Sequence, residues 1–296
     1  MIDQATKLRE MMRTKLKEEK LENKNKKARV LAISSGKGGV AKTNFAINFS
    51  ISLRRLGYDV VVLDADLGLS NIEIISGISL NNSISDIIFA NKDIFEIMGN
   101  GPEGVKIISG GSGLKELKLL DDENFNKLIS EIEKLQKSTD FIVIDTGAGI
   151  SSSVINFIMT ADEVIIICTP DPTSLMDSYT LIKSLVYTGY TGKINIVCNL
   201  VSNRDEGREI FEKLYNTVEN FLRVQIKYFG YIERNRHIRN AVINQVPFII
   251  SNPKDPNAKR INIMAMNYMD AKYSPLEEER ISFARRIMDI FIRRGD

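Results

Sequence analysis

The chain has 296 residues, 43% hydrophobic and 26% charged, which is enough apolar material for a sizeable α/β core in one domain or two. A net charge of +2 gives no global field toward nucleic acid, and the single histidine, His237, removes most histidine chemistry and reads as a surface or packing residue. No apolar run approaches the roughly eighteen residues of a membrane span, no secretory leader is expected, and Cys168 and Cys198 close apolar runs without metal-ligand spacing, so both read as buried filler in a reducing compartment.

Residues 2–21 place Ala5, Leu8, Met12 and Leu16 at helical spacing, which predicts a short helix with a thin apolar stripe. Residues 17–27 are almost wholly polar and read as a tether. From there on, short apolar runs alternate with helical patterns. Runs at 29–34, 60–63, 105–108, 141–144, 164–168, 194–198 and 226–229 predict strands, and helical periodicity occupies 42–56, 124–137, 174–187 and 206–221. Fully apolar strands separated by helices predict an α/β fold with a mostly parallel sheet flanked by helices on both faces. Ligands in such sheets bind at the carboxyl ends of the strands.

The first strand runs into Ser35-Gly36-Lys37-Gly38-Gly39-Val40-Ala41-Lys42-Thr43 and then a helix. Gly36, Gly38 and Gly39 let the loop backbone, through Val40 and Ala41, approach phosphate oxygens closely, and the helix N-terminus adds its dipole. Lys42 can reach the β- and γ-phosphates, and the Thr43 hydroxyl can bind Mg2+. The loop resembles the deviant Walker A motif, KGGxxK[ST], of the MinD/ParA family, P-loop NTPases of the SIMIBI type. That resemblance implies ATP and Mg2+ as ligands and a homodimer when ATP is bound. In it Lys37 crosses to the partner's nucleotide as an arginine finger does, an element worth roughly 10³–10⁵ in rate in related phosphoryl transfers. Ala41 stands where the family usually has glycine. If that position needs positive φ, alanine costs about 1 kcal/mol there.

The second strand ends in Asp64-Ala65-Asp66, two carboxylates that can face a metal and an attacking water. By the resemblance, Asp66 orients or polarises the water and Asp64 holds a magnesium-bound water. The strand 141–144 ends at Asp145, the Walker B pattern, which implies Mg2+ bound through water. Thr146-Gly147-Ala148-Gly149-Ile150 then follows as a switch segment able to sense the γ-phosphate. Asn199 ends another strand. The resemblance implies that its carboxamide reads the adenine edge, and an Asx turn is the alternative.

Three further stretches narrow the resemblance. Asp145-Thr146-Gly147-Ala148-Gly149-Ile150-Ser151, Ala161-Asp162-Glu163-Val164 and Thr169-Pro170-Asp171-Pro172-Thr173-Ser174 look like the FlhG (YlxH/FleN) family of MinD-like ATPases. Asp3-Gln4-Ala5-Thr6-Lys7-Leu8-Arg9 fits that family's DQAxxLR motif. The implied function is regulation of flagellar number and placement, with Asp3, Gln4, Ala5, Leu8 and Arg9 docking on an FlhF-type GTPase and stimulating it. Flagellar switch-complex proteins are further partners the family admits, and no direct nucleic-acid contact is expected. At the other end, Ser274-Pro275 with Glu277, Glu278 and Glu279 forms a helix start. Phe283, Ile287, Ile290 and Phe291 then lie on one broad apolar face, suited either to the inner surface of the cytoplasmic membrane or to the core. The expected organisation is a partner-activating helix and tether at 1–27, an ATPase domain at 28–270 and an amphipathic helix at 271–296, in a cytoplasmic protein that visits the membrane reversibly. Two other readings stay open: a septum-site or partition ATPase in the manner of MinD or ParA, and a nucleotide-binding scaffold with little turnover, motivated by Ala41.

Overall fold

The computed structural model describes residues 27–66, 71–111, 121–270 and 282–291. The first element is β1 (Arg29–Ser35), which leads through the glycine-rich loop to α1 (Lys42–Arg55) and β2 (Val60–Ala65). Two short helices, α2 (Asn71–Ser76) and α3 (Ser85–Phe89), precede β3 (Gly99–Asn100) and β4 (Lys106–Ser109). Then come α4 (Asp122–Ser138), β5 (Phe141–Ala148), α5 (Ser152–Met159), β6 (Glu163–Cys168), α6 (Pro172–Thr188), β7 (Lys193–Val201), α7 (Arg204–Leu222) and β8 (Ile226–Glu233). The last four are α8 (Arg236–Ile243), α9 (Phe248–Ser251), α10 (Pro256–Asp270) and α11 (Phe283–Phe291).

Helix boundaries follow capping chemistry. Asp121, Ser151, Asp171, Asn203 and Asn235 each accept a backbone N–H from the first turn of the helix they precede. Pro172 sits at the first position of α6, and Gly189 ends that helix with φ 87°.

The eight strands form one sheet in the order β3-β4-β2-β5-β1-β6-β7-β8, parallel except for β3 against β4. Alternate residues of β1 enter opposite cores: Val30 and Ala32 pack with α4, α5, α6 and α7, whereas Leu31 and Ile33 pack with α1, α9 and α10. Both sheet faces are therefore covered, and the ends of β1, β2, β5, β6 and β7 converge at one edge. The expected strands and long helices form, within a few residues at their ends. The structure adds β3, α2, α3, α5, α8, α9 and α10, which the hydropathy pattern does not single out. α10 packs against α1, and its Asn257 holds the Glu233 backbone through both carboxamide ends.

Of the two fits open to the apolar face of α11, the structure has the core: Phe283 and Ile287 are buried beside Leu128 and Leu135 of α4. Gln136 accepts the Phe283 N–H at 3.0 Å, and Arg286 pairs with Asp162 at 2.6 Å. Burying each large apolar side chain is worth about 1.5–3 kcal/mol, so the wide apolar arc finds its partner within the chain. Ile290 is half-buried against the same core. The Phe291 side chain, the helix start at Ser274, and the N-terminal motif with Asp3, Gln4, Ala5, Leu8 and Arg9 lie outside the described residues.

Candidate nucleotide site

The glycine-rich loop is built from β1 outward. The Ser35 hydroxyl donates to the Lys37 carbonyl at 2.9 Å and tightens the turn. Gly36 is required by contact: a Cβ there would lie 2.2 Å from the backbone carbon of Asp177 in α6. Gly39 has φ 77°, and Ala41, at the helix N-cap, has φ 63° and ψ 36°. The alanine thus occupies the left-handed backbone that makes this position costly for any side chain. It opens α1 directly onto Lys42 and Thr43, both nearly buried.

Below the loop lie the acids. Asp64, next to the end of β2, and Asp145, within β5, are register partners. Lys42 Nζ donates to Asp145 Oδ1 at 2.8 Å, while Asp145 Oδ2 is buried with no hydrogen-bond partner. Burial raises the Asp145 carboxyl above the usual carboxylate range, against the pull of Lys42 and the Thr43 hydroxyl. Asp64 is pushed up to about 7, first by burial and then by the charge of Asp145. The Asp66 N–H donates to Asp64 Oδ1 at 3.1 Å, and Gly147 lies alongside the Asp66 carboxylate. Among the described residues no three Asp, Glu, His or Cys side chains form a complete metal cage. A hard cation that keeps its waters and takes phosphate oxygens needs no such cage, and it fits the orphaned Asp145 oxygen, the crowded Asp64 and the Thr43 hydroxyl. These groups are what Mg2+ would use.

Lys37 is placed apart from Lys42. Its ammonium donates to Asp171 Oδ2 at 2.8 Å and to Thr173 Oγ1 at 2.6 Å, both at the start of α6. The Lys37 ammonium, with Thr173, holds the Asp171 carboxyl at about 2. The sequence offers one signal for these holders, the Asp-Pro helix start, which marks a cap but not a lysine partner.

Asn199 is buried, and both ends of its carboxamide are engaged by the protein's own backbone: Nδ2 donates to the Val40 carbonyl at 2.7 Å and Oδ1 accepts from Leu200 N–H at 2.8 Å. The Oδ1 contact is to the next residue rather than the one after it, so it is not the Asx turn, and the carboxamide also holds the loop. Residues 67–70, which follow Asp66, lie outside the described residues.

The two cysteines are buried as expected, with sulfurs 3.8 Å apart, and the Cys168 sulfur together with burial pushes the Cys198 thiol up. His237 is half-exposed and bonds Asp255 at 2.9 Å, a packing role between α8 and α10.

Residues 28–193 match the family model of an AAA domain. The chain is 35% identical to the antiactivator FleN of Pseudomonas aeruginosa over 73% of its length and 77% of that protein. It is 33% identical to the flagellum site-determining protein YlxH of Helicobacter pylori, with 82% of each covered. In fold it is similar to MinD in the MinC:MinD cell division complex of Aquifex aeolicus, with TM-score 0.68 and 23% identity over 86% of this chain and 100% of that one. MinD of Pyrococcus horikoshii, solved with Mg-ADP, superposes with TM-score 0.65 at 20% identity, over 86% of this chain and 100% of that one.

Proposed function

Because the chain belongs to the MinD-like ATPases that include FleN and YlxH, a family of ATP-hydrolysing enzymes, we propose that it is an ATP-dependent dimerisation switch controlling flagellar number and placement. The observation that carries this reading is the separation of the two loop lysines: Lys42 lies on the Walker B acid, while Lys37 is held aside on Asp171 and Thr173.

In this reading Gly36, Gly38, Gly39, Val40 and Ala41 turn the loop backbone around the phosphates of ATP, and Lys42 leaves Asp145 for the β- and γ-phosphates. Thr43, Asp64 and Asp145 would hold Mg2+, and the ion would supply charge neutralisation on the phosphate oxygens. Asp66 orients the attacking water. Phosphoryl transfer needs positioning and electrostatic support rather than covalent help, and these groups supply both. Lys37 leaves its intrachain partners and reaches the nucleotide of a second copy, so turnover requires the dimer. Use of α11 at the inner membrane surface requires the helix to leave α4, exposing Phe283 and Ile287.

The output is stimulation of an FlhF-type GTPase by the N-terminal motif, with Gln4 reaching the partner's catalytic site and 1–27 acting as a unit apart from the ATPase domain. A short motif on a polar tether suits such docking. The test is partner-GTPase activity with the full chain and with residues 1–20 deleted. The deletion should keep ATP hydrolysis and lose stimulation; equal stimulation by the two chains would reject the reading.

A further inference from the structure

At the amino ends of the strands, on the edge of the sheet away from the phosphate loop, lies a cleft of about 230 Å³. Its lining comes from distant parts of the chain: Asp162 just before β6, Glu163 as the first residue of β6, residues 189–193 between α6 and β7, and Arg286 of α11. At about 30 Å³ of liquid volume for each water, such a space takes a ligand of on the order of ten non-hydrogen atoms.

The hydrogen-bond inventory of the lining is one-sided. Asp162 Oδ2 accepts the Val30 N–H at 2.8 Å, and its Oδ1 accepts from Arg286 Nη1 at 2.6 Å. Glu163 Oε2 accepts from the Asn195 carboxamide at 3.2 Å, and its Oε1 accepts from the Tyr268 hydroxyl at 3.5 Å. Each carboxylate oxygen thus has a donor of its own. The Tyr190 hydroxyl and Arg286 Nε are the reverse: both atoms are buried, and among the described residues neither has a partner. An orphaned buried group of this kind disfavours the fold by about 5- to 150-fold unless something pairs it. Gly192 makes room for the phenol, because a Cβ there would lie 2.3 Å from the Tyr190 oxygen. Burial, and then the charges of Glu163 and Asp162, push the phenol up, so it keeps its proton as a donor. Lys193 adds an exposed ammonium at the start of β7.

We propose that this cleft is a binding site for a small monocarboxylate, whose oxygens accept from Arg286 Nε, the Tyr190 hydroxyl and the Lys193 ammonium. The spare capacity of the lining is on the donor side, and two of the three donors are cationic, which selects an anionic acceptor. The four charged side chains of the lining balance, so the second charge of a phosphate ester finds no offset there. Arg286 belongs to α11, so the ligand binds only while that helix is docked and holds it on the core. The site lies apart from the phosphate loop and does not depend on how that loop is read.

The experiment uses the full chain and three probes that share a ring and differ in the head group: benzoate, benzamide and phenyl phosphate. Binding is measured by calorimetric titration, and exchange of the α11 amides by deuterium uptake. Benzoate should saturate with a dissociation constant of about 1 mM or below, and bind at least about tenfold more tightly than either of the others. Tyr190→Phe should weaken benzoate by about 2- to 10-fold. It should not lower the ligand-free urea midpoint, because the hydroxyl has no partner to lose. Arg286→Lys, which keeps the charge beside Asp162 but not the Nε donor, should weaken benzoate by about tenfold or more. If that variant does not fold, Tyr190→Phe decides the site alone. At ten times its dissociation constant, benzoate should slow exchange of the 283–291 amides by about tenfold, the factor by which it favours the docked helix. Binding only above about 10 mM, equal binding of benzamide, affinity unchanged by Tyr190→Phe, or a lowered midpoint in that variant would each overturn the site. Saturable binding without slower exchange in α11 would overturn its hold on the helix. ATP should not compete with benzoate, so a chain that binds no nucleotide would defeat the proposed function and leave this test standing.

Discussion

Asp64 and Asp145 face each other across adjacent strands with one lysine, Lys42, to offset their charge, and that crowding has a measurable signature. Asp64 is raised from 3.8 to about 7 in the folded chain. The folded state therefore binds a proton more tightly than the unfolded state between those values. Stability falls as pH climbs from about 4 to about 7 and is level beyond, with a ceiling of about 4 kcal/mol, because displacing a pKa tenfold in proton affinity is worth about 1.4 kcal/mol. Asp64→Asn removes the penalty. The ligand-free variant should be more stable than wild type at pH 8, with the advantage closing toward pH 4 in urea unfolding; an advantage independent of pH would contradict the assigned environment. Lys37 and Asp171 present the opposite case, an exposed pair. Such pairs add little to stability, so Asp171→Ser, which keeps a helix-capping acceptor, should leave the unfolding midpoint almost unchanged. Its effect belongs to dimerisation. Freed from an intrachain competitor, Lys37 should lower the protein concentration needed for the ATP-bound dimer by up to about fivefold, read by sizing across a dilution series.

At the scale of elements, α6 and the phosphate loop are locked by close approach. The Gly36 backbone lies so near Asp177 that any side chain must push the loop or the helix away. Gly36→Ala should cost about 1–3 kcal/mol of overpacking and abolish detectable ATP binding while the far-ultraviolet circular dichroism stays native. Retained affinity would show that the contact yields easily. α11 is held by the opposite device, apolar burial. Phe283 fills a space among Leu128, Leu135 and Phe157, and Phe283→Ala should cost about 3–5 kcal/mol in urea unfolding if the helix stays docked. A loss below about 0.5 kcal/mol, the range of ordinary surface substitutions, would mean that the helix spends its time off the core.

At the scale of the molecule, the proposed switch is a second-order device: each nucleotide needs Lys37 of another copy. ATP turnover per chain should therefore rise with protein concentration and level off once dimers form, and Lys37→Ala should remove the concentration dependence by removing turnover. Constant turnover per chain over a hundredfold dilution would place all of the catalytic groups within one chain. The parallel strands, most of the long helices, the glycine-rich loop and the choice of MinD-like family were legible in the amino-acid sequence. They depend on hydropathy period, glycine placement and short motifs, each confined to a few neighbouring residues. The destinations of Asn199, Lys37 and Phe283 were not legible. Asn199 meets Val40 across 159 residues, Lys37 meets Asp171 across 134, and Phe283 meets Gln136 across 147. A local pattern can show that a side chain is apolar, charged or an amide. Which distant backbone or helix it meets is set by the strand order that brings β7 and α6 beside the loop and leaves a groove for α11, and only the folded chain decides that.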